Sequence, residues 1–585
     1  MRGIMLSIMH ALVFAAPIFS AFSCASNSTN SGRPAYRFLP GDPDWPTEGE
    51  WNKLNETIQG RLIKGVPLAH TCFGPTTSQA EIVCNALSND WDYVTPFLGD
   101  PVNVMSPYWQ NDSCNPFSAS NGSCRLGNMA SYAIEVTDAA TAIAGMSFAK
   151  EKNLRLTIKN TGHDYLGRSA GEGSLALWMH KLKGISVLTN YTGVSYTGPA
   201  IKVGAGVEVW EAYSAAQAEG MRVVGGGCPT VGVAGGWLPG GGHGPLTSAY
   251  GLGADEVLEY EVVTTDGHHL VASPAGPHAD LYWALSGGGP GNYALVLSLT
   301  IKAHQDGPVG GLSLTFTNNN ANAYWSAIAA WIRHLLVIDR TLPAVHTSAT
   351  FTSSFFSVDF VTFPGATSEQ NIISAIEPFL AQLKQLKISL ASIETHLSPT
   401  FYDHYQYFTT ASINATNETL SNRLIPRKTV QSHLPALIQT FQDISNINSA
   451  AVFVINSANV THQNVGNAPG FNSVLPAWRY ALFELNFGLE LSPEASWDTI
   501  RNHQMQVNDW VDRFRLLTPE SGSYMNEATW NNAHWKVDYF GSNYPRLAAI
   551  KAKYDPEYLL FANAAVGSDV AWRTDIDGNG RLYSR

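Results

Sequence analysis

Basic charge is in short supply. The chain has 35 Lys and Arg against 47 Asp and Glu, a formal net charge of −12, which argues against a nucleic-acid partner, whose phosphates call for a basic surface. Beyond about residue 21 no segment is apolar enough to span a bilayer. Internal repeats at solenoid or propeller periods are absent, and so are low-complexity tracts. The sequence also lacks a His-Glu-X-X-His zinc helix, a Cys-X-X-Cys pair and a Gly-X-Ser-X-Gly elbow. In Ser-Gly-Gly-Gly-Pro-Gly-Asn (286–292), Asn292 stands where the dinucleotide fingerprint has its last glycine, which argues against a nicotinamide Rossmann domain. Asp575, Asp577 and Asn579 copy the first half of a calcium loop. Its closing glutamate would fall past Arg585, so 575–585 reads as a solvated tail.

Cysteine is scarce as well, with 6 in 585 residues. The apolar run to about residue 21 and the small residues at 20–25 have the arrangement of a secretory signal peptide, read as 1–23. An uncleaved anchor is the rival, disfavoured by His10 and Pro17, which shorten the run. Secretion is therefore expected, with no membrane association after cleavage. Sequons at Asn27, Asn55, Asn111, Asn121, Asn190, Asn414, Asn417 and Asn459 agree collectively with it. Cys24 falls at the cleavage site. Cys72 with Cys84, and Cys114 with Cys124, are neighbours suited to two short-loop disulfides, one of three possible connectivities. Cys228 is left over, and burial, an intermolecular bond or a covalent partner other than cysteine would each account for it.

The length calls for two or more domains. Residues 24–125 read as a Pro-, Asn- and Trp-rich wrapping segment with one helix near 51–64. A strand at 132–136, an N-cap at Thr137-Asp138, a helix over 139–152 and a strand over 154–158 make an α/β unit. After a boundary near 303–310, strand patterns at 311–316, 353–362, 451–455 and 479–487 alternate with helical ones at 321–338, 368–386 and 495–517. Long strands with helices between them suggest a sheet covered on one face, leaving the other free to roof a site. Glu484 and Glu490 lie on or beside that roof strand, and alternation alone does not decide whether Glu484 points inward.

Two glycine-rich segments carry the chemistry. Lys-Asn-Thr-Gly-His-Asp-Tyr-Leu-Gly-Arg-Ser (159–169) follows a strand directly, and Gly-Gly-Gly-Cys-Pro-Thr-Val-Gly-Val-Ala-Gly-Gly-Trp-Leu-Pro-Gly-Gly-Gly-His-Gly occupies 225–244. Such density serves unusual backbone angles or close approach of a ligand, and successive N–H groups in these turns suit a pyrophosphate. With the tail that runs from Tyr524-Met-Asn526 through Tyr539 and Tyr554-Asp-Pro556 to Phe-Ala-Asn563, these motifs resemble the vanillyl-alcohol-oxidase/berberine-bridge-enzyme superfamily of FAD oxidoreductases, over about 126–572.

The resemblance implies an α+β chain: a two-subdomain, PCMH-type FAD-binding domain (126–306), a substrate domain with a mainly antiparallel sheet backed by helices (307–520), and a C-terminal segment (521–575) returning to the first. It implies FAD joined covalently to His163 and also to Cys228, with Thr161, Gly162, Asp164, Gly227, Thr230, Gly232, Gly236, Val263, Asn526 and Asn563 around it. Tyr165 and Tyr524 match positions of tyrosines near the flavin, either of which could be a base or a substrate partner. The implied reaction is hydride transfer from a small organic substrate to FAD, with oxygen reduced to peroxide by a monomeric secreted enzyme. A second class fits the same sequence: a secreted glycoprotein keeping the fold as a binding module.

Overall fold

Asp138 sets the first α/β unit in place. Its carboxylate accepts the backbone N–H of Thr141 at 2.7 Å and caps helix Ala139–Glu151. The computed structural model describes residues 35–74, 77–118, 123–409, 418–575 and 577–585. The signal segment, Cys24 and the sequons Asn27, Asn121, Asn414 and Asn417 lie outside the described residues.

Strands β1 (Leu62–Lys64), β2 (Tyr132–Glu135), β3 (Leu156–Lys159) and β4 (Leu175–Trp178) form a sheet in the order β1-β2-β4-β3. β4 runs parallel to β2 and β3, and β1 joins antiparallel. The helix expected over 51–64 is instead Glu48–Thr57. Gln59 and Gly60 take positive φ, 57° and 81°, which ends it and frees Leu62–Lys64 to pair with β2. A second, antiparallel sheet is built from β5 (Ile185–Thr192) and β6 (Thr197–Gly204) and, after the short β7 (Met221–Arg222), from β8 (Val257–Val263), β9 (His269–Ala272) and β10 (Leu295–Lys302). Its order is β5-β6-β10-β8-β9, while β7 pairs with β11 (His304–Gln305).

The third sheet is antiparallel throughout. It contains β12 (Val309–Thr317), β13 (His346–Phe351), β14 (Phe355–Pro364), β15 (Ser392–Ser398), β16 (Glu418–Pro426), β17 (Ala451–Ser457) and β18 (Ala481–Glu490), in the order β15-β12-β14-β13-β17-β18-β16. Helices Ala321–Thr341, Glu369–Gln385, Arg427–Ile447 and Trp497–Leu517 cover one face. Phe453, Ile455, Leu485, Phe487 and Leu489 pack there against Trp331, Phe441, Trp510 and Phe514. The period of two sends the intervening residues to the opposite face, where the short helix Phe401–Thr409 packs over β12, β14 and β15 and the β16–β18–β17 end is left to the site. Registration aligns Glu418 with Glu490, Leu420 and Val452 with Gly488, and Asn422 and Val454 with Asn486. The architecture is α+β, with two small sheets and one large sheet covered by helices on one face.

Two differences from the sequence reading have local causes. Arg479, expected in a strand, sits in the turn Pro476–Arg479, where its guanidinium is drawn to Asp255 at 2.7 and 2.8 Å. The C-terminal tail is not solvated: Trp572 and Leu582 are buried, Trp572–Arg573 pairs with Tyr583–Ser584, and Arg581 grips the Asp42 carboxylate at 2.6 and 2.8 Å. Disulfides join Cys72 to Cys84 and Cys114 to Cys124. Cys228 is the free cysteine among the described residues. No helix among them is long and apolar enough to cross a membrane.

Candidate active site

The β16–β18–β17 end of the large sheet, on the face opposite its four covering helices, roofs a cavity of about 480 Å³, whose floor is made by the two glycine-rich segments. Ten of the residues expected from sequence line it: Thr161, Gly162, His163, Asp164, Tyr165, Cys228, Gly232, Gly236, Tyr524 and Asn526. Two more stand just behind the wall. The Thr230 hydroxyl lies 2.8 Å from His163 Nε2, and the Gly227 carbonyl accepts the Tyr405 hydroxyl at 2.8 Å. The structure does not bring the last two to the cavity. Val263 is buried in the core with Val136 and Leu295, and Asn563 donates its amide to the Gly578 carbonyl at 2.9 Å.

Local chemistry shapes the floor. Lys159 ends β3 with its ammonium buried against the carbonyls of Phe97 and Asp100, at 3.0 and 2.5 Å, and burial pulls it down to about 8. Gly162 then takes φ +91°, a conformation that side chains resist. The Asp164 carboxylate accepts the N–H groups of Leu166 and Ser169, at 3.1 and 2.7 Å, and closes the turn. His163 and Cys228, 65 residues apart, thereby meet at 3.9 Å between Nε2 and Sγ. Burial, helped by the charge of Lys159, lowers His163 to about 4, so its imidazole is neutral; burial raises the Cys228 thiol.

Carboxylates crowd the roof side. Glu418, the first residue of β16, accepts the Tyr165 hydroxyl at 2.8 Å. Burial pushes Glu418 up to about 7, and Tyr165 is raised well above its ordinary value by burial and by Glu418. Deeper in, His243 Nε2 lies 2.9 Å from Glu484 and 3.1 Å from Glu527. Glu484 therefore does point inward, and burial raises it to about 7. Burial works against charge on His243, but the two carboxylates outweigh it and hold the imidazole well above its usual range. Asn486 donates to Glu527 at 2.9 Å, and Asn422 clamps the Tyr524 backbone from both sides at 2.7 and 2.8 Å.

The cavity's unpartnered polar atoms test its fit to FAD. Arg168 lines it with its buried Nε and Nη2 bonded to no described residue, and Asn160 Oδ1 and Asn526 Oδ1 are buried and unbonded likewise. A buried cation without an acceptor is costly and suits an anionic ligand such as a pyrophosphate. Gly289, with positive φ, lies beside Arg168, so that a Cβ there would come within 4.0 Å of Nη2, and Gly291, also with positive φ, lines the cavity. The residues fit the group.

Arg168, His243, Glu418, Asn486 and Glu527 were not singled out from sequence. Arg168 and His243 sit inside the glycine-rich motifs, where an isolated charge among glycines was a usable signal. Glu418 opens a strand with no alternation motif, and only the β16–β18 register reveals its place.

Residues 130–273 match the FAD binding domain family and residues 523–566 the berberine and berberine like family. The chain is 40% identical to the VAO-type flavoprotein oxidase VAO615 of Thermothelomyces thermophilus, over 98% of this chain and 99% of that one. It is 41% identical to the bifunctional decalin synthase calF of Penicillium decumbens, over 93% and 95%. The crystal structure of the VAO-type flavoprotein MtVAO615 from Myceliophthora thermophila C1 aligns with a TM-score of 0.86 at 38% identity, covering 94% of this chain and 100% of that chain. With these domains, relatives and fold, the chain belongs to the VAO/BBE family and is an FAD-linked oxidoreductase.

Proposed function

We propose that the protein is a secreted oxidase that takes hydride from a small organic substrate, an alcohol, carbohydrate or secondary metabolite, onto FAD held covalently by His163 and Cys228. The observation that carries this reading is the meeting of those two nucleophiles, from separate loops, in the wall of one large cavity. Bound FAD would supply the hydride acceptor, with molecular oxygen as final acceptor and hydrogen peroxide as product. The chain's own residues hold the rest. Neutral His163 is a competent nucleophile at neutral pH, Arg168 offers a cation to the pyrophosphate, and the roof positions substrate and base. The two disulfides and the exposed sequon Asn190 support the secreted route.

Protein purified from its native host is expected to leave a yellow pellet on acid precipitation and to release peroxide when screened against sugars, alcohols and amines. A colourless, flavin-free protein would overturn the reading. Reduction by substrate with reoxidation by artificial acceptors alone would replace oxidase with dehydrogenase. Arg168→Gln is expected to weaken FAD binding to apoprotein by roughly ten- to hundredfold, the ~1.5–3 kcal/mol of a charged hydrogen bond, as read by fluorescence titration.

A further inference from the structure

We propose that Glu418 is the base that takes the hydroxyl proton of an uncharged alcohol substrate, with Tyr165 holding its carboxylate in position. The inference rests on the oxidase reading above and names the reacting group that reading leaves open.

Glu418 stands on the roof and Tyr165 on the floor, two residues after His163. Their 2.8 Å hydrogen bond therefore spans the cavity beside the pair of attachment residues. The other candidates are committed elsewhere. Asp164 is occupied by backbone N–H groups, and Glu527 by His243 and Asn486. Glu490 is exposed. Tyr524, the tyrosine that sequence also suggested, has its hydroxyl hydrogen-bonded by the Asn526 amide at 2.9 Å rather than by a carboxylate. Tyr165 donates to Glu418, so the carboxylate is the stronger proton acceptor of the two.

The groups facing Glu418 tune it for the task. Burial brings it up to about 7; Tyr165 opposes the rise, Glu527 and Glu490 add to it, and His163 opposes it. A base near the working pH combines a useful ionised fraction with strength enough to take a proton. In the step, the substrate O–H proton would pass to the Glu418 carboxylate while bound FAD would supply the acceptor for the C–H hydrogen and its electron pair, so that the C–O bond becomes a carbonyl. Molecular oxygen is the final oxidant, and Glu418 returns its proton to solvent. Three glutamates and one Arg, Arg168, line the cavity, so a substrate carboxylate at the Glu418 end would meet like charge.

The test compares wild type, Glu418→Gln, Tyr165→Phe and Tyr524→Phe as flavin-loaded enzymes, using the neutral alcohol of a panel that reduces wild-type flavin fastest. Glu418→Gln is expected to keep its acid-stable flavin while anaerobic flavin reduction slows by about 10²–10⁴-fold. Wild-type reduction should fall as pH drops through about 7, because the base is lost on protonation, and the variant should lose that limb. Infrared titration gives a readout independent of turnover: the wild-type minus Glu418→Gln difference isolates a carboxylic-acid band with a midpoint near 7, apart from that of Glu484, and Tyr165→Phe shifts it. Reduction of Glu418→Gln within threefold of wild type, or an unchanged band, overturns the inference and leaves the oxidase reading standing. Wild-type protein without flavin overturns both.

Discussion

A protein carrying both His163→Ala and Cys228→Ala is expected to surrender all its flavin on acid precipitation, whereas Cys228→Ala alone keeps a fully yellow pellet. The expectation follows from the environments of the two nucleophiles. Burial lowers His163 to about 4, so at neutral pH nearly every molecule presents a neutral imidazole. The same burial raises the Cys228 thiol and makes thiolate scarce. Its neighbours are His163 Nε2 at 3.9 Å and Thr230 Oγ1 at 3.6 Å, and an imidazole held at about 4 is a weak acceptor for the thiol proton, so neither makes thiolate plentiful. His163→Ala should therefore remove the readier bond and leave only the slow one, giving a partly coloured pellet. Mass spectrometry of the flavin-bearing peptides separates the cases. A colourless Cys228→Ala pellet would exclude His163 as an attachment point, and a yellow double variant would place attachment elsewhere.

The floor of the site was more legible in the sequence than its roof, for a physical reason. Glycines at 162, 232 and 236 and the short-range turn made by Asp164 are local devices, so their signal survives in a linear string. The roof is set by pairing between strands far apart in the chain. Glu418 meets Glu490 across 72 residues through the β16–β18 register, and no local pattern around either residue records that pairing. The helices over 321–338, 368–386 and 495–517 were legible because each buries one stripe of residues. Arg427–Ile447 was not, since Pro435 and the kink at His433 interrupt its pattern. The N-terminal cysteines paired as neighbours, while Asn563 went to the C-terminal hairpin because that tail folds back instead of solvating.

Asp255→Ala is expected to cost about 3–5 kcal/mol of stability, the range for breaking a buried ion pair by removing one partner. Asp255 and Arg479 are 4% and 7% exposed. The carboxylate takes both arms of the guanidinium at 2.7 and 2.8 Å, and it also accepts Asn467 at 2.7 Å, Asn472 at 2.8 Å and the Leu252 N–H at 3.0 Å. Without it Arg479 keeps only the Val460 carbonyl, at 3.0 Å, among its recorded hydrogen bonds. The turn it organises reaches the site as well: the N–H groups of Gly253 and Ala254 bond the carbonyls of Gly242 and Gly241, beside His243. Loss of stability should thus come with lower flavin occupancy. An Asp255→Leu, Arg479→Met double variant removes both charges and should recover much of the stability, because apolar side chains replace an ion pair whose desolvation is costly. Denaturant unfolding, or unfolding rates where refolding fails, measures both variants. A single-variant loss below about 1 kcal/mol would put this pair in the class of exposed ones and remove it as the link between the turn and the roof.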